Sequence, residues 1–178
     1  PLSIKCESLT RGAYGKLLYK LTPKVGPTML EHNIVPSSVA PSKCSPAYFA
    51  GGRVRALTHS EIKELEQQFI DGAVRVKKAG CDGVELHSSH GYLLQQFLSP
   101  VTNRRTDEYG GSLENRMRFI LNIIKGIKEA CGEDFPVIVR LTVDECYEKI
   151  GEKGKGYTLD EGVEIARRLE KAGIDAID

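Results

Sequence analysis

The sequence has almost no net charge and no long hydrophobic run, and each absence excludes a class of partner. The formal net charge is +1 at pH 7 over 178 residues, whereas nucleic-acid-binding domains usually carry a clear basic excess. No apolar run approaches the roughly 18 residues that a membrane-spanning helix needs. We therefore expect neither a nucleic-acid nor a membrane partner.

The chain also lacks any C-x-x-C pair. This spacing argues against a zinc ribbon or an iron–sulfur site within these residues. An odd number of cysteines in a chain of this size is typical of reduced thiols, which favours a cytoplasmic location. The five cysteines are Cys6, Cys44, Cys81, Cys131 and Cys146.

The first 57 residues differ in composition from the rest of the chain. Six of the eight prolines lie in them, and the stretch "VPSSVAPSKCSP" has the composition of a loop. We expect residues 1–57 to be an irregular segment and residues 58–178 to hold the regular structure. The chain begins at Pro1 without a methionine and stops at "AGIDAID", within a predicted strand, so we also expect it to be truncated at both ends.

Three helix-then-strand units follow residue 57. Thr58 and Glu61 have the spacing of a capping box, Ser112 can cap a second helix, and Thr158 with Glu161 repeats the capping-box pattern. The predicted apolar faces are Ile62, Leu65, Phe69, Ala73 and Val76 in the first helix, Leu113, Met117, Ile120, Ile124 and Ile127 in the second, and Val163, Ala166 and Leu169 in the third.

A glycine ends each predicted helix, and an apolar strand follows it. The strands are "CDGVEL" after Gly80, "PVIVRLTV" after Gly132 and "IDAID" after Gly173. Such units predict an α/β fold with a parallel sheet covered by helices, either an open doubly wound sheet or a (β/α)8 barrel. No G-x-G-x-x-G follows any strand, so a dinucleotide-binding Rossmann unit has no support.

The stretch "GVELHSSHGYLLQQFLSP", residues 83–100, places His87, His90 and Tyr92 at the carboxyl end of the first predicted strand, where parallel α/β folds carry their chemistry. The histidines could be satisfied polar residues, with Tyr92 packed on the leucines that follow it. They could bind a metal with a third ligand from residues 144–146. They could also donate two N–H groups to one oxygen that gains negative charge, with Tyr92 as proton donor.

Arg140 interrupts the second predicted strand near its carboxyl end. A guanidinium inside a sheet is costly unless it is paired. It could form an ion pair with Glu85 on the neighbouring strand, or it could contact an anionic ligand or cofactor, and the residues alone leave both open. The polar run "NRRTDEYGGSLENRMRF", residues 103–119, predicts an ordered loop with internal Arg–Asp or Arg–Glu pairs and no catalytic role.

The run "DGVELHSSHGYLLQQFLSPVTNRRTDEYGGSLENRMRF", residues 82–119, resembles the signature of the Old Yellow Enzyme family, the FMN-dependent NAD(P)H:flavin oxidoreductases and ene reductases. The resemblance extends from Leu57 to Asp178. It implies a (β/α)8 TIM barrel, of which this chain is a central segment with roughly three of the eight strands. The family's earlier glutamine and H-x-G-R segment have no match in residues 1–50, and the strands that hold the FMN phosphate would lie beyond Asp178.

The resemblance also implies roles for the site residues. His87 and His90 would bind the substrate oxygen, as the variant of the family with two histidines in place of His and Asn. Tyr92 would donate the proton, and Arg140 would lie beside the flavin pyrimidine. No metal is expected at the site.

The implied reaction is hydride transfer from NAD(P)H through FMN to the C=C bond of a small-molecule α,β-unsaturated carbonyl compound. The alternatives are an amine dehydrogenase, a plain NADH:flavin oxidoreductase, or a non-catalytic fragment of such an enzyme. An iron–sulfur cluster and FAD would belong only to a longer parent chain. The oligomeric state is open, with a homo-oligomer among the expectations.

Overall fold

The computed structural model describes residues 38–43 and 54–178. Within the segment expected to be irregular, two short strands, β1 (Ser38–Ala40) and β2 (Val54–Ala56), pair in parallel. Residues 1–37 and 44–53 of that segment lie outside the described residues, so the boundary at residue 57 stays a prediction.

Three parallel strands form the main sheet, in the order β3 (Val84–Ser88), β4 (Val137–Leu141) and β5 (Ala176–Ile177). The helices are α1 (His59–Lys78), α2 (Leu93–Leu98), α3 (Leu113–Cys131) and α4 (Leu159–Lys171), with a short 3-10 helix at Tyr147–Ile150. The predicted parallel sheet with helical connections is confirmed. None of the helices in residues 38–43 and 54–178 is both long and apolar enough to cross a membrane.

The core lies between the helices and one face of the sheet. Val137 and Val139 on β4 are fully buried, while the alternate residues Ile138 and Arg140 are only partly buried. This period of two separates a helix-facing side from the opposite side of the sheet. The fully buried Phe119 of α3 stacks on Phe97 of α2, with ring centroids 4.3 Å apart, and a buried side chain of this size stabilises the fold by about 1.5–3 kcal/mol.

Two of the three predicted helix caps are confirmed. Thr58 and Glu61 form a complete capping box at α1, and the Ser112 hydroxyl accepts the Asn115 N–H at α3. The third capping box is wrong, because the Thr158 side chain makes no cap hydrogen bond. Its partner Glu161 instead accepts from the buried Arg116 guanidinium at 2.9 Å. A stronger, charge-assisted bond takes the carboxylate away from the helix end.

The buried face of α4 also differs from the prediction. Ile165 and Leu169 are buried, but Val163 is 40% exposed. The cause is Gly162, where an added Cβ would lie 1.9 Å from the Val143 carbonyl oxygen. Because only glycine permits this approach, Gly162 faces the loop after β4 and Val163 turns to solvent.

The polar segment after α2 is an ordered loop, as predicted. The Arg105 guanidinium pairs with Asp107 at 2.5 Å and also donates to the carbonyl of Leu57 at 2.6 Å. The predicted internal Arg–Asp pair is therefore confirmed. Glu108 has a different partner from the arginine expected, since it pairs with His59 at 2.6 Å.

Candidate active site

The candidate site lies at the carboxyl ends of β3 and β4. The parallel register places His87 directly opposite Arg140. Aligned residues on neighbouring strands project to the same face of a sheet, so the imidazole and the guanidinium share the face that the helices leave uncovered. The prediction that both residues face one mouth is confirmed by this register.

A tight turn follows β3 and brings the second histidine back over the first. The Tyr92 N–H donates to the Ser89 carbonyl at 3.2 Å. The two residues between them have positive φ, +57° at His90 and +73° at Gly91, which is the pattern of a type I′ turn. His90 Nδ1 then lies 3.3 Å from His87 Nε2. The two histidines therefore meet through their ring nitrogens.

Ser89 is buried beside this pair. Its hydroxyl lies 3.2 Å from His87 Nδ1 and 3.5 Å from His90 Nδ1. A neutral His87 that accepts the hydroxyl proton at Nδ1 carries its own hydrogen on Nε2. In that arrangement Ser89 directs an N–H donor of His87 into the centre of the cluster.

Tyr92 lies on the open side of the cluster. Its ring centroid is 5.0 Å from that of His87, and the residue is 49% exposed. Leu93 and Leu94, which follow it, are buried in the core. The ring contact with His87 and the exposure of Tyr92 favour a place at the site over packing against these leucines.

Two glutamines on α2 hold the turn, and the sequence reasoning missed both. The Gly91 N–H donates to Gln95 Oε1 at 2.7 Å, and Gln96 Nε2 donates to the Gly91 carbonyl at 2.6 Å. Both glutamine side chains are more than nine-tenths buried. The sequence did carry a signal for them, because two adjacent amide side chains stand inside an otherwise apolar run. Buried amides need hydrogen-bond partners, so such a pair indicates nearby backbone groups to bind.

Arg140 does not pair with Glu85, so that alternative is wrong. Glu85 lies opposite Ile138, two residue pairs away from Arg140 along the sheet. Arg140 Nε instead lies 3.2 Å from the Asp178 carboxylate at the end of β5. The sequence showed both strands but not their register, and the register decides which charges meet.

The residues considered as a third metal ligand have other partners. Asp144 accepts the Cys146 N–H at 2.7 Å, and Glu145 accepts the Tyr157 N–H at 2.9 Å. Burial raises the pKa of the Glu145 carboxyl and, more strongly, the pKa of the Tyr157 phenol. Across the part of the chain that the structure describes, no three His, Cys, Asp or Glu residues are arranged to hold a metal ion.

Comparison with known proteins places this chain in a family. The model of the NADH:flavin oxidoreductase / NADH oxidase family matches residues 22–176. NADH oxidase of Thermoanaerobacter brockii is 53% identical over 139 residues, which is 78% of this chain and 20% of that protein. Cinnamate reductase of Clostridium sporogenes is 42% identical over 178 residues, 93% of this chain and 26% of that protein.

The fold is similar to that of a solved flavoenzyme. Old Yellow Enzyme from Pichia sp. AKU4542 superposes with a TM-score of 0.63 at 34% identity, covering 83% of this chain and 41% of that one. The resemblance to Old Yellow Enzyme and the (β/α)8 barrel that it implies are therefore confirmed. The chain spans 20% and 26% of the length of the two curated relatives.

Proposed function

This chain belongs to the NADH:flavin oxidoreductase / NADH oxidase family, and on that basis we propose that the whole protein is a flavin-dependent ene reductase. It passes hydride from NAD(P)H, by way of FMN, to the C=C bond of an α,β-unsaturated carbonyl compound. The observation that carries the proposal is the cluster of His87, His90 and Tyr92 at the carboxyl end of β3.

The histidine pair binds the carbonyl oxygen of the substrate. His87 Nε2 and His90 Nδ1 face each other at 3.3 Å, so an oxygen that enters between them takes the place of their mutual contact. Negative charge grows on that oxygen as the β-carbon is reduced, and two N–H donors stabilise it. An amine substrate offers no such acceptor, which favours a carbonyl compound over an amine.

Tyr92 supplies the proton to the α-carbon. Its phenol is the exposed hydroxyl of the cluster, beside the ring of His87. A positioned side-chain acid of this kind accelerates a proton transfer by about 10²–10⁴-fold. The donor and the oxygen-binding pair thus lie on one short segment, residues 87–92.

The charge distribution on the uncovered face of the sheet fits a flavin. Arg140 is a partly exposed guanidinium (36% exposed) whose described partner is one carboxylate, that of Asp178, which is itself more than half exposed. Such a group can hold a ring that carries negative charge when reduced. Arg140 is accordingly the residue of this segment that would bind the pyrimidine side of FMN.

The remaining properties of the whole protein follow from the family. We expect a cytoplasmic enzyme with small-molecule substrates and without a nucleic-acid or membrane partner. Cinnamate reductase among the relatives supports an enoate or enal as the substrate class. The second candidate is a plain NADH oxidase, which the relative from Thermoanaerobacter brockii supports.

The test uses the full-length protein. A visible absorbance spectrum after desalting shows whether FMN stays bound, and anaerobic mixing with NADH or NADPH shows whether it is reduced. We then expect an enal such as cinnamaldehyde to reoxidise the flavin without oxygen and to yield the saturated aldehyde. Reoxidation by oxygen alone would contradict the ene-reductase proposal in favour of the oxidase, and reduction of the flavin by an amine would favour an amine dehydrogenase.

A further inference from the structure

The turn that carries the proposed acid and one of the oxygen-binding histidines adopts a backbone conformation that is uncommon for its residues. His90 is a non-glycine residue at φ +57°, followed by Gly91 at +73°. Non-glycine residues in this region are stabilised only where the surrounding structure holds them. The contacts around Gly91 show what holds this turn.

The two peptide groups on either side of Gly91 are each bound by a different glutamine. The N–H of the His90–Gly91 peptide donates to Gln95 Oε1 at 2.7 Å. The carbonyl of the Gly91–Tyr92 peptide accepts from Gln96 Nε2 at 2.6 Å. One glutamine therefore fixes the peptide plane attached to His90, and the other fixes the plane attached to Tyr92.

The orientation of each amide follows from chemistry. A backbone N–H can only donate, so it requires the oxygen of Gln95, and a carbonyl can only accept, so it requires the nitrogen of Gln96. Gln96 Oε1 is buried and has no hydrogen-bond partner within residues 38–43 and 54–178. The contact with Gly91 thus decides the orientation of the Gln96 amide.

The contact from Gln95 is not an ordinary helix cap. Tyr92 is the N-cap of α2 and Gln95 is the third residue after it, where a capping-box side chain would reach the N–H of the N-cap itself. Gln95 reaches one residue further, to Gly91.

The end of β3, from which the turn begins, is held by separate hydrogen bonds. The Thr142 N–H donates to the Ser88 carbonyl at 3.3 Å, and the Thr142 carbonyl accepts from the buried Tyr157 hydroxyl at 2.7 Å. The strand end and the turn are therefore each held by bonds to groups outside them.

We propose that Gln95 and Gln96 are positioning residues, which fix His90 and Tyr92 relative to each other by holding the two peptide planes on either side of Gly91. What the turn then does to substrate rests on the proposed function. A displacement of about 1 Å between reacting groups can lower a rate by about 100-fold. Neither glutamine needs to touch the substrate for its loss to slow proton transfer.

The test compares matched variants of the full-length protein, Gln95→Glu and Gln96→Glu. An ionised carboxylate introduced at position 95 still accepts the Gly91 N–H, whereas at position 96 it faces the Gly91 carbonyl and repels it. Gln67→Glu, on the exposed side of α1, is the control for added charge. Because both glutamines are buried, burial can raise the pKa of an introduced carboxyl by up to about 3–5 units. Flavin reoxidation by an enal is therefore measured from about pH 6 to about pH 9.5, together with hydrogen exchange of the Gly91 amide.

At about pH 9.5 we expect Gln95→Glu and Gln67→Glu to stay near the wild-type rate and Gln96→Glu to fall by about 10- to 100-fold. The difference in rate between Gln96→Glu and the wild type should narrow as the pH falls, because the introduced carboxyl then becomes protonated and able to donate to the Gly91 carbonyl. Equal rates in Gln95→Glu and Gln96→Glu at about pH 9.5 would overturn the proposal.

A second variant tests the contact directly. Gln95→Met should raise the exchange rate of the Gly91 amide, because the acceptor for its N–H is lost, and unchanged exchange would also overturn the proposal. If the wild-type protein reduces no enal, the proposed function fails, and exchange at Gly91 alone still decides whether the glutamines hold the turn.

Discussion

His87 on β3 stands directly opposite Arg140 on β4, so an imidazole and a guanidinium leave the same face of the sheet side by side. Neighbouring strands lie about 4.8 Å apart, which is close enough for one bound ring system to contact both side chains. Under the proposed function, the substrate oxygen would lie on the histidine side of this pair and the anionic part of the cofactor on the arginine side.

Tyr92→Phe should slow the reoxidation of reduced flavin by an enal by about 10²–10⁴-fold, because the hydroxyl that donates the proton is lost. Reduction of the flavin by NAD(P)H requires no such proton and should stay near the wild-type rate. Stopped-flow absorbance separates the two half-reactions. Tyr147→Phe, on the 3-10 helix, is the matched control, and equal losses in both half-reactions would count against Tyr92 as the acid.

His87→Ala should weaken the binding of a phenol ligand by about 10- to 100-fold, since a hydrogen bond to a charged oxygen contributes about 1.5–3 kcal/mol. The affinity is measured by titration of the flavin absorbance. Ser89→Ala should have a smaller effect in the same direction, because the hydroxyl 3.2 Å from His87 Nδ1 no longer favours the tautomer with hydrogen on Nε2. Unchanged affinity in His87→Ala would exclude the oxygen-binding role.

Arg140→Leu should reduce the affinity for FMN and lower the reduction potential of the bound flavin. The substitution removes a cation and leaves the Asp178 carboxylate, which lies 3.2 Å from Arg140 Nε, without that partner beside the ring. We expect a loss of about 10- to 100-fold in affinity, measured by the fluorescence of free FMN. Arg167→Leu on the exposed face of α4 removes the same charge elsewhere, and an equal loss in that control would show that only net charge matters.

Glu61→Gln should destabilise the fold at neutral pH and lose this effect in acid. The Arg55 guanidinium lowers the pKa of the Glu61 carboxyl from 4.5 to about 2, so the folded state holds the ionised form more strongly than the unfolded state does. This stabilisation is present above pH 4.5 and disappears as the pH falls toward 2. Since the Glu61 side chain is 32% exposed, screening reduces the expected effect to about 1 kcal/mol.

Urea denaturation at a series of pH values measures this free energy of unfolding in the wild type and the variant. Glu64→Gln, one turn along the same helix, changes the charge equally. A difference between wild type and Glu61→Gln that stays constant from pH 7 to pH 3 would show that the ion pair with Arg55 does not set the pKa.

The sequence predicts the helices and strands well because burial and capping are local and periodic. The apolar spacing of α1 and α3 identifies their buried faces, and the Thr58 capping box is correct. The errors concern long-range choices. The partner of Arg140 depends on strand register, the partner of Glu161 depends on where α3 lies, and the face of α4 depends on one close approach at Gly162.

In the candidate site, too, local features were predictable from the sequence and long-range contacts were not. His87, His90 and Tyr92 were identified from their place after a strand and from the resemblance, and the structure brings them together. Gln95 and Gln96 carry no comparable signal, because a side chain that binds backbone groups can belong to many sequence patterns. Their contact with Gly91 becomes visible only when the turn itself is described.

The left-handed backbone at position 90 limits which amino acids can evolve there. Besides glycine, that conformation is most accessible to Asn, Asp and His, and a β-branched or bulky aliphatic residue would strain the turn. Of those four, only His and Asn also offer a neutral N–H donor. In a library of substitutions at position 90, we therefore expect only the variants with His or Asn to retain function. Which of the two is present can then depend on the substrate.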